Sequence, residues 1–159
     1  MITALIILMA LVTPAQAADK PVETEAAKVI SLSYKENKSM MCSPVRFELR
    51  REQDGTYIMT NGSERPDDEA EQVVVPVEFV DSIQKIVAEE KMNRYLGFYA
   101  PEFEVMDGTS WYLDICFSDK SSISSSGYMN WPEGRGVQRL VKYLKEVLVL
   151  TANGHYEDK

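Results

Sequence analysis

The sequence predicts an α+β fold: a two-layer sandwich in which an antiparallel sheet of about five strands is covered by two helices. Three observations predict it. Runs of alternating apolar and polar residues recur along the chain, bounded by turn residues. Two other segments carry apolar residues at helical spacing, on one face only. The strands follow one another through turns too tight for a crossover helix, and tight turns make antiparallel neighbours.

The elements follow in order. Ile30, Leu32 and Tyr34 alternate with Ser31 and Ser33, so 28–34 reads as a strand with one face buried. Residues 35–44 read as a loop. Val45, Phe47 and Leu49 alternate with Arg46, Glu48 and Arg50. Gln53-Asp54-Gly55 then turns the chain into Thr56–Thr60, and Asp-Gly between such runs is a hairpin signature. The stretch 61–72 is acidic and holds Asn61-Gly62 and Pro66, which reads as a loop. Val73–Val75 are a short apolar run into Pro76, placed in the first turn of a helix. Phe79, Ile83, Ile86 and Val87 give that helix its buried stripe, and it should end near Met92–Tyr95. Residues 98–106 read as irregular.

Asp107-Gly108 leads into Trp111, Leu113, Ile115 and Phe117, alternating with Tyr112, Asp114 and Cys116. Large side chains on both faces predict a central strand. Ser118-Asp119-Lys120 reverses the chain into 121–126, read as an edge strand with a solvated serine face. The last helix carries Val137, Leu140, Val141, Leu144, Val147 and Leu148 on one face. It should stop at Asn153-Gly154, with Asn130 and Glu133 forming a capping box at its start.

Residues 2–12 are an apolar run too short to span a bilayer, and Ala15-Gln16-Ala17 completes a cleavage motif. The organisation expected is therefore a signal peptide at 1–17, a flexible lead-in at 18–27, one α+β domain at 28–152 and a polar tail at 153–159. The protein would be exported, either periplasmic or secreted, with no membrane span in the mature chain. Export permits a disulfide, and Cys42 with Cys116 is the candidate pair; two unpaired thiols are the alternative.

Lys and Arg number 17 against 25 Asp and Glu, a formal net charge of −8. Such a surface repels phosphate backbones, so nucleic acid is not an expected partner. The one histidine, His155, sits beyond the helix-ending Asn-Gly, and no G-x-S-x-G elbow accompanies it. A positioned triad is therefore not expected. No Cys-x-x-Cys or D-x-D-x-D-G pattern points to zinc or calcium, and no cofactor is expected.

The aromatics in and around loops are the most suggestive feature. Tyr99, Phe103, Tyr128 and Trp131 are candidate contacts for a ligand, since rigid rings suit interfaces and sugar platforms. The expected function is an exported, non-catalytic domain that binds a protein or glycan of the cell envelope. Two alternatives stand beside it. One is a carboxylate-dependent hydrolase of envelope polymers using Glu102, Glu104 or Asp107. The other is an inhibitor-like or subunit role presenting the 121–126 edge to a partner strand.

The segments Asp107-Gly108, Trp111-Tyr112-Leu113, Ser122–Gly127 and Trp131-Pro132, followed by an amphipathic helix, carry a resemblance. The pattern is similar to that of small exported bacterial domains reading D-G-x-x-W-x-L-x-[IV]-x-F, S-x-G-x-N-x-[WYF]-P and helix. It covers about residues 80–148. The resemblance implies an α+β fold and an envelope location, and it brings no catalytic residue or substrate.

Overall fold

The computed structural model describes residues 27–38, 44–62, 71–105 and 107–152, with side chains described as far as Val147. The expected signal peptide, nearly all of the expected lead-in, Cys42, the acidic stretch 63–70 and the tail with His155 lie outside the described residues.

Among the described residues seven strands and two helices make an α+β fold: β1 (Val29–Asn37), β2 (Val45–Arg51), β3 (Tyr57–Gly62), β4 (Glu71–Val75), α1 (Val77–Glu89), β5 (Gly97–Tyr99), β6 (Ser110–Phe117), β7 (Ser122–Tyr128) and α2 (Gly136–Ala152). A short 3-10 turn, Met92–Arg94, follows α1. The strands form one sheet in the order β4-β3-β2-β1-β6-β7-β5. Every pairing is antiparallel except β5 with β7, which is parallel, so the sheet is mixed.

Alternation decides which side chains meet the helices. Leu32, Tyr34, Phe47, Leu49, Tyr57, Met59, Val75, Trp111, Leu113, Ile115 and Ile123 are buried on one face. They form a single core with Phe79, Ile83 and Ile86 of α1 and Leu140, Leu144 and Val147 of α2. The opposite face is open. On it Ser33 lies in register with Glu48 of β2 and Asp114 of β6, and Asp114 with Ser124 of β7. Polar side chains there remain hydrated, which is the usual state of an antiparallel sheet covered on one side. The two helices touch through Phe79 and Tyr143, whose rings stack with centroids 5.2 Å apart. Arg139 of α2 joins them at the surface, reaching Glu89 at 2.7 Å and Glu90 at 3.0 Å.

The structure corrects the expected architecture in several places besides the mixed sheet. Two strands add to the expected five. The valine run 73–75 is the end of β4, and Gly97–Tyr99 forms β5 inside a stretch that reads as irregular. Both are short, and short apolar runs carry no readable period. The 121–126 segment is a free edge only in part: β5 pairs with Ser125–Gly127 on its outer side, and no described strand pairs there with Ser122–Ser124. β6 is central as expected, yet only one of its faces is buried: Trp111 is fully enclosed while Tyr112 and Asp114 are exposed. In β1 a register irregularity between Val29 and Ser31 puts Val29, not Ile30, into the core. One displaced residue suffices, because strand side chains alternate faces. Finally, Asn130 does not cap α2. Its side-chain amide donates to the Ala100 carbonyl at 2.7 Å, and the helix begins six residues later at Gly136.

No helix among the described residues is long and apolar enough to cross a membrane.

Candidate binding surfaces

The four predicted contact aromatics do not share one platform. Tyr99 stands on β5 opposite Gly127, on the core side, where its ring lies 6.0 Å from that of Trp111. Trp131 is half-buried and also packs against the core. Tyr128 ends β7 on the open face, and its ring covers Gly108 so closely that a Cβ there would meet Tyr128 Cζ at 3.2 Å. Phe103 alone is fully presented to solvent, at 74% exposure, on the loop between β5 and β6. The segment Trp131-Pro132 divides two grooves. Trp131 lines one and Pro132, with Tyr99, the other.

The groove beside Trp131 is the larger, about 540 Å³, and lies between the end of β1 and α2. β1 supplies Tyr34 and Glu36, which share a strand face because they are two residues apart, and Lys38 follows just beyond the strand's end. The Tyr34 hydroxyl donates to Glu36 Oε2 at 2.6 Å, and Lys38 Nζ lies 3.3 Å from Glu36 Oε1. Burial raises the Tyr34 pKa far above its ordinary value, and the Glu36 carboxylate beside it pushes the same way. The hydroxyl therefore stays a proton donor to Glu36, whose side chain is only 13% exposed. From α2 come Val137 and Val141, which extend the apolar wall, and Gln138, Lys142, Lys145 and Glu146 along the rim.

The second groove, about 520 Å³, is walled by Tyr95, Tyr99, Arg94, Glu90, Pro132 and Glu133. Burial raises the Tyr95 pKa, with Glu90 adding to the shift, and the Tyr95 hydroxyl donates to the Glu133 carbonyl at 3.5 Å.

Glu102, Glu104 and Asp107 are exposed on the loop between β5 and β6 and line neither groove. Cys116 is half-buried near the end of β6 and forms no disulfide among the described residues. Nor do three or more His, Cys, Asp or Glu side chains gather there to hold a metal ion.

Sequence reasoning missed the open face of β5 and β6. Phe98 is in register with Ser126, and Ser126 with Tyr112, so the two rings project from the same face on either side of one serine. They are 64% and 50% exposed. Leu96, Phe103 and Met129 are also exposed, in the segments next to β5 and β7, so five of the seven large hydrophobics exposed among the described residues fall between positions 96 and 129. The alternation of 111–117 already placed Tyr112 opposite Leu113. Only the parallel pairing of β5 put Phe98 beside it. Glu36 was missed because the first strand was ended too early, at Tyr34.

No protein-family model matches the chain, and no curated protein matches it.

Proposed function

We propose that the chain is an exported, non-catalytic module that binds a protein of the cell envelope through the exposed apolar surface on the β6-β7-β5 side of its sheet. The observation that carries this reading is the placement of the exposed Phe98 and Tyr112 rings on one face, either side of Ser126, with three further exposed hydrophobics, Leu96, Phe103 and Met129, near them in the chain. Scattered exposed hydrophobics are ordinary, but a concentration of large ones marks an interaction surface. Aliphatic and phenylalanine side chains offer no hydrogen bonds, so a protein partner with its own apolar surface suits them better than a glycan does. Export is supported by the apolar run 2–12 and the Ala-x-Ala motif. The non-catalytic reading is supported by the position of the single histidine and by the separation of Glu102, Glu104 and Asp107 from the grooves.

The test is a pulldown from an envelope extract with the wild type and with a Phe98→Ser/Tyr112→Ser double variant. Both side chains are solvent-exposed, so the melting temperature should hold to within about 2 °C. A saturable protein partner retained by the wild type and lost by the variant is the expected result. A partner held equally by both would remove this surface from consideration, as would bound material consisting of glycan alone.

A further inference from the structure

The groove between β1 and α2 lies apart from the apolar surface just described, and its chemistry is different. One wall is apolar and includes the Trp131 ring with Val137 and Val141. Its floor presents the Glu36 carboxylate, held as an acceptor by the Tyr34 hydroxyl. Its charges are nearly balanced. Lys38 pairs with Glu36 at 3.3 Å, and Lys142 with Glu146 at 3.7 Å one helical turn away. Lys145 makes no ion pair among the described residues. Among the described residues the groove's lining thus carries one more positive than negative side chain, on a chain of formal net charge −8.

From this geometry we propose that the groove binds an acidic sugar, a glycan unit bearing one carboxylate, with its ring against Trp131, its carboxylate at Lys145 and a hydroxyl donating to Glu36. Each part of the ligand answers one part of the site. The C–H face of a sugar ring is apolar and packs on an indole. A carboxylate answers Lys145, which makes no ion pair among the described residues, and a charge-assisted hydrogen bond is stronger than a neutral one. Hydroxyl donors answer the Glu36 acceptor, which would repel a ligand made only of carboxylates. The volume is that of a site for a small molecule. An acidic peptide supplies the anion but neither the ring nor the hydroxyls, so it fits less well.

The test is a titration of the protein with a three-unit oligomer of galacturonic acid, followed by its backbone and indole NMR resonances. A neutral galactose oligomer of the same length and a glutamate hexapeptide are the comparisons. Saturable shifts centred on Trp131, Glu36 and Lys145 are expected. Binding should weaken roughly tenfold for the neutral oligomer and for Lys145→Gln, the loss of about one charge-assisted hydrogen bond. Lys145 is exposed, so the variant folds normally and its melting temperature confirms that. Three results would overturn the proposal: no saturable shift with the acidic oligomer, equal affinity for the neutral one, or equal or tighter binding of the peptide. Loss of the envelope protein partner in the Phe98→Ser/Tyr112→Ser variant, with uronate binding intact, would show that the two surfaces are separate.

Discussion

The indole nitrogen of Trp111 donates a 2.7 Å hydrogen bond to the backbone carbonyl of Asn130, at the foot of the chain's approach to α2. The bond ties a buried core ring to the turn after β7. Around it, the Met129 amide donates to the Thr109 carbonyl at 2.8 Å, and the Asn130 side chain holds Ala100. The turn that carries Trp131 between the two grooves is thereby fixed to β6 and to the end of β5. The residues of the D-G-x-x-W and W-P pattern thus have a structural reason for occurring together.

Gly127 is where this lock is tightest. A Cβ there would stand 2.6 Å from Trp111 Nε1 and 2.5 Å from the Asn130 carbonyl oxygen. The carbonyl is backbone and the ring is enclosed, so neither yields cheaply. Gly127→Ala should therefore destabilise the fold by about 1–3 kcal/mol, the range for overpacking a filled site. Denaturant unfolding would measure it. A change below about 0.5 kcal/mol would mean that the turn can shift away from Trp111.

Neighbours on β6 should respond in opposite ways. Leu113 is fully buried and Tyr112 is half exposed on the other face. Leu113→Ala should cost about 2–5 kcal/mol through lost burial and the cavity left behind. Tyr112→Ser should change stability by about 0.5 kcal/mol or less. Equal losses in the two variants would show that the open face is covered in solution.

Tyr34 makes stability depend on alkaline pH. Its folded pKa is raised, so the native state holds the phenolic proton more tightly than the unfolded chain does. The contribution is complete below the unfolded value of about 10 and declines as pH rises beyond it, since the unfolded state then binds fewer protons. Tyr95 is shifted the same way. Unfolding measured from pH 8 to 11 should show stability falling above about pH 10. Tyr34→Phe should flatten that fall while lowering stability at neutral pH, because Glu36 loses its hydroxyl donor. An unchanged alkaline slope in Tyr34→Phe would assign the effect elsewhere.

The clearest elements in the sequence were those with long, unbroken periods. The hairpin joining β2 and β3 through Asp54-Gly55 and the apolar stripe of α2 lie where alternation and helical spacing put them. The failures have separate physical causes. β4 shows only a run of three valines and β5 is three residues long, too few for a period to declare itself. The shift near Val29 lies between correctly alternating neighbours and shows only in the pairing with β6. Of the candidate aromatics, residue type alone marked Tyr99 and Trp131 as contacts, while the packing of Tyr99 against the Trp111 ring draws it toward the core.

The sequence by itself determined the α+β class, the buried stripes of both helices, the hairpin turns and the acidic balance of the surface. These are properties of consecutive residues, set by local periodicity, turn chemistry and composition. Only the tertiary structure decided that β5 runs parallel to β7, that Phe98 and Tyr112 share a face, and that Tyr34, Glu36 and Trp131 line one groove. Those residues are distant in the chain. Their meeting depends on which strands pair and on where α2 comes to rest, and it is burial of the whole apolar core that selects that arrangement.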